Sequence, residues 1–159
     1  MNEQTMQSIV DAVVSKIKPS KDMTLDAARK LALKVIERAE QMGVKAVVAI
    51  SNKAAHPVLV ECMDDAYIAS YDIAVQKAFT VVSLKMSTST LKPLAQPGGS
   101  LYGIQFTNQG KIVIFGGGEP LQVNGETIGG LGVSGGSEEQ DTLLGAFGKS
   151  VFDAEISKL

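Results

Sequence analysis

Residues 116–141 read "GGGEPLQVNGETIGGLGVSGGSEEQD" and contain nine glycines, with Pro120 as the only proline. So much backbone freedom has three explanations: a loop that cradles phosphate, a disordered linker, or strands whose backbones approach another group closely. The pair Asn124–Gly125 lies between two apolar runs and predicts a tight hairpin turn, because both residues tolerate positive φ. The stretch is too apolar for a flexible tether, since it contains Leu121, Val123, Ile128, Leu131 and Val133. We therefore predict that it is mostly sheet.

A phosphate-binding loop does not fit the residues that follow the first glycines. A P-loop needs Lys and then Ser or Thr at the start of a helix, and a dinucleotide fingerprint needs its glycines at a strand-to-helix turn. Here Glu119 and Pro120 follow Gly118, and the next segment is a predicted strand. Nucleotide binding is therefore disfavoured against a plain structural role for the glycines.

The segments before this stretch alternate between helical and strand patterns. Apolar residues at helical spacing predict an amphipathic helix over 3–17 and a second helix over 25–42, which begins at an N-cap, Thr24, and ends at Gly43. Two valine-rich runs, 44–51 and 57–63, predict antiparallel strands joined by a turn. A third helix is predicted over 65–86.

The remaining segments complete the predicted order of elements. Residues 96–100, "QPGGS", predict a loop. Residues 101–115 predict a strand hairpin that turns at Asn108–Gly110. A closing helix begins at Glu138, and its apolar residues are Leu143, Leu144, Phe147, Val151 and Phe152.

Composition places the chain among single-domain globular proteins. Its 159 residues are 45% hydrophobic and 20% charged, with a formal net charge of -2, which gives no overall attraction to nucleic acid or anionic lipid. The sequence shows no signal peptide and no apolar run of about 20 residues, so we expect one cytoplasmic domain over residues 1–159. A lone cysteine, Cys62, excludes an internal disulfide, and a lone histidine, His56, excludes a multi-histidine zinc site.

Two groups of residues offer weak signals for catalysis. Cys62 is a candidate nucleophile if His56 lies across the predicted hairpin to activate it. Cys62 also alternates with Val60, and a structural core position is favoured over catalysis. Asp64 and Asp65 lie where a strand meets a helix. An N-cap role for these aspartates is favoured over acid–base chemistry.

Two segments carry a resemblance to a known family. The run "FGGGEPLQVNGETIGGLGVSGGSEEQD", residues 115–141, resembles the glycine signature of the GlcG/HbpS-like family. The segment "CMDDAYIASYDIAVQKAFTVVSLKMST", residues 62–88, is similar to that family's upstream motif. The resemblance extends over about residues 24–155. The matching positions of the upstream motif are Met63, Asp64, Ala66, Lys77, Ala78, Thr80 and Thr88.

The resemblance implies a fold and departs from the family pattern at several positions. It implies an α+β fold of the profilin-like or GlcG-like kind, with helices packed on an antiparallel sheet of about five strands, and assembly into dimers or larger oligomers. Cys62 stands where the family usually has Arg, and Asp65 where it usually has Gly. The turn "NKAAHP", residues 52–57, lacks the family's Asp-x-x-Gly. Contacts made by the family's arginine are therefore not transferred.

The resemblance also implies a class of function. The family includes GlcG-type proteins of glycolate-utilisation operons, haem-binding HbpS and the C-terminal domain of PduO-type corrinoid adenosyltransferases. The leading reading is a non-catalytic ligand-binding or accessory protein of a bacterial metabolic operon, with haem or a corrinoid as ligand. The alternatives are an enzyme that acts on a small oxygenated metabolite through the region of Asp64, Lys77 and Thr88, and an oligomer that scaffolds partner enzymes.

Six residues are the predicted cofactor-binding set: His56, Met63, Lys77, Thr88, Gly117 and Gly118. His56 is the best intrinsic iron ligand because it is the only imidazole, and Cys62 and Met86 are the further alternatives besides Met63. Two structural expectations accompany this set. The chain is expected to self-associate, and Gly130 and Gly132 are expected to lie in a strand where a side chain would collide with a neighbour.

Overall fold

The computed structural model describes residues 4–9 and 22–158. Residues 4–9 are helical, as predicted for the start of the helix over 3–17, while residue 3 and residues 10–17 lie outside the described ranges. The helices are α1 (Leu25–Gln41), α2 (Ile68–Leu84), α3 (Thr88–Leu94) and α4 (Glu138–Val151), and a π-helical turn, Phe152–Ile156, follows α4. The strands are β1 (Val47–Asn52), β2 (Pro57–Cys62), β3 (Gly118–Val123) and β4 (Glu126–Ser134).

The four strands form one antiparallel sheet in the order β2-β1-β4-β3. The α+β class is as expected, but the sheet has four strands in the described residues rather than about five. The hairpin between β3 and β4 turns at Asn124 and Gly125, whose φ angles are 52° and 79°. Positive φ at both positions is the geometry that the Asn-Gly pair predicts.

The hairpin predicted over 101–115 is wrong. This segment forms two short 3₁₀ turns, Ile104–Phe106 and Asn108–Gly110, and no strand. Val113 donates its backbone N–H to Oγ1 of Thr80 on α2 at 3.0 Å instead of to a neighbouring strand. Ile112 and Val113 of this segment are buried, while Tyr102 and Phe106 are exposed.

Local signals explain the first helix. The Oγ1 of Thr24 accepts the backbone N–H of Ala27 at 3.2 Å, which caps the start of α1 as predicted. Beyond its end, Gly43 takes a left-handed φ of 69°. One stripe of the helix is buried, and it consists of Ala28, Leu31, Ala32, Val35 and Ala39.

Helices cover both faces of the sheet. On one face α1 and α4 pack against a large apolar cluster that includes Val48, Ile50 and Leu131. On the other face α2 packs against a small cluster whose buried members are Val47, Ala49, Ala74 and Ala78. This second face has small residues throughout, so the α2 backbone lies close to the sheet.

Gly130 and Gly132 cause this close approach, as predicted. A Cβ added at Gly130 would lie 2.5 Å from the carbonyl oxygen of Ala78, and one at Gly132 would lie 2.8 Å from the Ala78 nitrogen. The colliding atoms belong to the α2 backbone, which cannot move aside as a side chain can. No helix in the described parts of the chain has both the length and the apolar character needed to span a membrane.

Candidate functional site

A buried lysine is the centre of the candidate site. Lys77 lies on α2, and its side chain is fully buried. Its Nζ donates to the carbonyl oxygen of Val133 at 2.7 Å and to Oδ2 of Asp141 at 2.9 Å. The same ammonium lies 5.0 Å from the centre of the Phe115 ring. We call these residues, together with Thr88, Gly117 and Gly118, the Lys77 cluster.

Burial shapes the electrostatics of this ion pair. Desolvation lowers the pKa of Lys77 despite the nearby charge of Asp141. Desolvation also raises the pKa of Asp141, while Lys77 and backbone N–H groups oppose that rise. The backbone N–H of Gly136 donates to Oδ1 of Asp141 at 2.9 Å, so both carboxylate oxygens have partners. Each charge is therefore tolerated only because the other is present.

The segment 116–118 lies directly on the cluster. Gly117 has a φ of 112°, and a Cβ there would lie 2.7 Å from Nζ of Lys77. Gly118 donates its N–H to Oγ1 of the buried Thr88 at 2.9 Å. A side chain at either glycine would displace this packing, so the glycines here serve close approach of the backbone.

A second, more exposed ion pair, between Lys92 and Glu138, lies beside segment 116–118. Oε1 of Glu138 accepts the N–H of Gly116 at 3.0 Å, and Oε2 accepts Nζ of Lys92 at 2.5 Å. The hydrogen bond from Lys92 is the main cause that lowers the pKa of Glu138, followed by the hydrogen bond from Gly116. The carboxylate thus ties α3, segment 116–118 and the first turn of α4 together.

The structure brings four of the six predicted residues together and separates two. Lys77, Thr88, Gly117 and Gly118 belong to one cluster, but all four are buried. His56 is exposed in the turn between β1 and β2. The pairing of Asn52 with Gly129 and of Val47 with Ser134 puts that turn at the opposite end of the sheet from the cluster.

Met63 lies outside the cluster as well. It follows β2 and packs against the apolar cluster on the α1 side of the sheet. Its Sδ accepts the backbone N–H of Ala46 at 3.2 Å. The thioether therefore already has a partner within the fold.

The weak catalytic signals are not supported by the structure. Cys62 is exposed at the end of β2, six residues from His56, a distance of about 20 Å along a strand. His56 therefore cannot activate the thiol within one chain. The expected capping by Asp64 or Asp65 is also wrong, because the N-cap of α2 is Tyr67, which makes no side-chain capping bond. Asp65 instead occupies a turn with a φ of 66°.

Two concave surfaces lie away from the Lys77 cluster. A half-open pocket of about 220 Å³ is lined mainly by apolar side chains between the start of α1 and the π-helical turn. An open groove of about 560 Å³ lies at the turn end of the sheet and includes Lys53, Lys85 and Gln122. Within residues 4–9 and 22–158, no three His, Cys, Asp or Glu side chains are grouped closely enough to bind a metal ion.

Sequence reasoning missed Asp141 and Phe115 as parts of the Lys77 cluster, and Glu138 as the partner of Lys92 beside it. A signal for the first partner was present: Lys77 interrupts the apolar pattern of a helix with few charges, and a buried lysine requires a carboxylate. Nothing in the spacing of the chain indicates which carboxylate, since Asp141 is 64 residues away.

The fold and this cluster define an α+β protein with a three-layer arrangement and a glycine-rich hairpin. The chain belongs to the HbpS-like family, described as haem degrading protein HbpS-like, whose model matches residues 23–148. An uncharacterized 15.0 kDa protein in the dhaT-dhaS intergenic region of Citrobacter freundii is 46% identical over 122 residues, which are 77% of this chain and 86% of that protein. The corrinoid adenosyltransferase PduO of Salmonella typhimurium is 45% identical over 106 residues, 67% of this chain but only 32% of that enzyme.

Solved structures agree with this membership. The crystal structure of Klebsiella pneumoniae protein ORFY superposes with a TM-score of 0.81 at 40% identity, covering 87% of this chain and 97% of the other. The crystal structure of a PduOC complex with haem gives a TM-score of 0.79 at 38% identity, covering 82% and 94%. The fold class and the family resemblance read from the sequence are therefore confirmed.

Proposed function

We propose that this protein is a non-catalytic ligand-binding or accessory protein of a bacterial metabolic operon, and that its ligand is a tetrapyrrole. The observation that carries the proposal is the similarity to the PduOC–haem complex over 82% of the chain. The position of the Citrobacter freundii relative between dhaT and dhaS supports an operon context. The PduO relative supports a corrinoid as the second ligand to test.

The Lys77 cluster serves this function as a support and not as the contact surface. Lys77 and Thr88 are fully buried, and Gly117 and Gly118 lie directly against them. A ligand as large as haem cannot reach these side chains without unfolding the segment. For the same reason an enzyme that uses Lys77 and Thr88 on a small metabolite is disfavoured.

His56 is the residue that would bind the haem iron. Its side chain is exposed, and no hydrogen bond to its imidazole is found within the described residues. Lys53, three residues earlier, lines the groove of about 560 Å³ together with Lys85. Imidazole is a common iron ligand, and ammonium groups attract the carboxylates that haem carries. Haem would supply the iron chemistry when bound, while the protein would supply the imidazole of His56 and the ammonium groups of Lys53 and Lys85.

Haem titration followed by absorbance tests the proposal. We expect a shifted Soret band in the wild type, and its loss in His56→Ala. Cys62→Ser, a control at an exposed thiol, should keep the band. Bound haem should also stabilise the wild type by about 2.7 kcal/mol at a hundredfold excess over Kd, and His56→Ala should lose this gain. A wild type with no shift in either redox state ends the haem hypothesis, and the same titration with a corrinoid then tests the second ligand.

A second candidate function follows from the family's description as haem-degrading. It differs from simple binding in one measurable respect. With a reductant and oxygen present, a degrading protein loses its Soret band with time at a rate that depends on protein concentration. Unbound haem in the same buffer gives the background rate of loss. A Soret band that decays no faster than this background supports the binding role.

A further inference from the structure

The turn between β3 and β4 contains a chemically labile pair of residues. Asn124 and Gly125 form this turn, and both are exposed. Asparagine is a thermolabile residue, because the backbone nitrogen of the following residue can attack its side-chain amide. Glycine at the following position hinders this attack least, since it has no side chain. The turn therefore places an exposed amide next to the least hindered backbone nitrogen.

The other two asparagines in the described residues are held in place. The Oδ1 of Asn52 accepts two backbone N–H groups of the turn between β1 and β2, each at 3.0 Å. The Nδ2 of Asn108 donates to Oγ1 of Thr107 at 3.0 Å. A lysine follows the first of these asparagines and a glutamine follows the second. By contrast, no hydrogen bond to the Asn124 side chain is found within the described residues.

The strand pairing next to the Asn124–Gly125 turn is short. The Gly125 nitrogen has to rotate toward the Asn124 side chain, so the turn must open before the attack. The register of β3 and β4 shifts between Leu121 and Gln122, and such an irregularity disrupts the ladder locally. Two residue pairs lie between this shift and the turn: Gln122 with Thr127, and Val123 with Glu126. Opening of the turn therefore breaks only these pairs and leaves the rest of the sheet intact.

We propose that Asn124 is a site of spontaneous deamidation, which changes the charge of the groove that this residue lines. The Gly125 nitrogen attacks the side-chain carbonyl carbon of Asn124, a cyclic imide forms, and ammonia leaves with the proton of the attacking N–H. Water then opens the imide at either of its two carbonyl groups, which gives aspartate or isoaspartate. Both products carry a carboxylate in place of the neutral amide.

The new carboxylate lies among the charged side chains of the groove of about 560 Å³. The lining includes Lys53, Lys85 and Glu126, two positive charges and one negative, so deamidation of Asn124 lowers its net charge from +1 to zero. This lowers the attraction of the groove for anions. The consequence for haem rests on the proposed function, in which the ammonium groups attract the haem carboxylates. The modified protein then binds haem more weakly.

Peptide mass spectrometry of the native protein tests the modification. After incubation at mildly alkaline pH, the peptide that contains Asn124 should gain the mass difference between OH and NH₂, faster than the peptides that contain Asn52 and Asn108. Asn124→Gln should remove most of this gain, and a urea-unfolded sample gives the rate without the hairpin. The proposal is overturned if Asn124 stays intact in the native protein while the unfolded chain converts, or if the three asparagines convert equally.

Haem titration tests the consequence for the groove. Asn124→Asp reproduces one product and should shift the titration of the Soret band to several-fold higher haem concentrations while keeping its far-UV circular dichroism. Glu126→Gln removes a carboxylate from the same groove and should shift the titration in the opposite direction. Equal affinities of wild type and Asn124→Asp would overturn the effect on haem binding. A wild type without a Soret shift would overturn it together with the proposed function, whereas the mass measurement needs no ligand and decides the modification by itself.

Discussion

The Nζ of Lys77 and the Oδ2 of Asp141 lie 2.9 Å apart, although 64 residues separate them in the chain. Lys77 belongs to α2 on one face of the sheet, and Asp141 belongs to α4 on the other. The ion pair lies beside the carbonyl group of Val133, near the end of β4, and Gly117 packs directly against it. It therefore joins the two helical layers around the end of the sheet.

Removal of one charge of this pair should be strongly destabilising. We expect Lys77→Met to lower the free energy of unfolding by about 3–5 kcal/mol, because it leaves a buried carboxylate without its counterion. The double variant Lys77→Met/Asp141→Leu should be less unstable than the sum of the single variants. Chemical denaturation of all three measures this coupling.

The matched control for that experiment is an exposed pair. Lys30 and Asp26 lie 2.8 Å apart on α1, with half or more of each side chain exposed. Lys30→Met should cost less than about 1 kcal/mol. A Lys77→Met variant that lost no more stability than Lys30→Met would contradict the claim that the buried ion pair stabilises the fold.

We expect Thr88 to stabilise the fold mainly through one hydrogen bond. Its Oγ1 accepts the N–H of Gly118, and both residues are buried. Thr88→Val keeps the shape but leaves that N–H unpaired, which should cost about 1–3 kcal/mol. Thr88→Ser keeps the hydroxyl and should recover much of the loss. Equal stability of the Val and Ser variants, measured by denaturant midpoint, would contradict this role for the hydroxyl.

The glycines of β4 should resist substitution by even one methyl group. Gly132→Ala places a Cβ against the backbone of Ala74 and Ala78, so we expect a loss of about 1–3 kcal/mol from overpacking. Gly130→Val should fall in the same range or above it. Glu126→Ala, an exposed change on the same strand, should alter thermal or denaturant stability by no more than about 0.5 kcal/mol. A Gly132→Ala variant that matches this control would mean that α2 can move away from the sheet at little cost.

Local patterns predicted most of the fold and failed for segment 101–115, which forms 3₁₀ turns in place of the expected hairpin. The Asn124–Gly125 turn and the cap at Thr24 depend on residues that are neighbours in sequence, so local sequence patterns predict them. The segment 101–115 has β-forming residues, yet Val113 pairs with Thr80 on a helix. Whether an apolar run becomes a strand depends on a free sheet edge at the right place, which no local pattern contains.

The site was predictable only in part for a related reason. The resemblance placed Met63, Lys77, Thr88, Gly117 and Gly118 in one functional set, and the structure groups all of them except Met63. It could not reveal that they are buried together, since burial depends on α4 and its Asp141. His56 was chosen for its chemistry, and the fold leaves it accessible but far from the cluster.

The pH dependence of stability should distinguish two glutamates that have opposite shifts. The pKa of Glu138 is lowered from its ordinary value of 4.5 by the hydrogen bonds from Lys92 and Gly116. Its ionised form therefore stabilises the folded state above about pH 4.5, and this contribution is lost as the pH falls through the lowered pKa. We expect wild type to exceed Glu138→Gln in stability at neutral pH, with the difference disappearing under acid conditions.

Glu119 supplies the control with the opposite sign. Burial raises its pKa above 4.5, and the charge of Lys149 offsets this only in part. Its ionisation therefore costs stability as the pH rises above about 4.5, since the unfolded chain gives up the proton more readily. Glu119→Gln should become more stable than wild type between acid and neutral pH, while Glu138→Gln becomes less stable. Urea unfolding of the three proteins between pH 3 and 7 measures both stability differences from wild type. If the two differences changed with pH in the same direction, the hydrogen-bonded environment assigned to Glu138 would be contradicted.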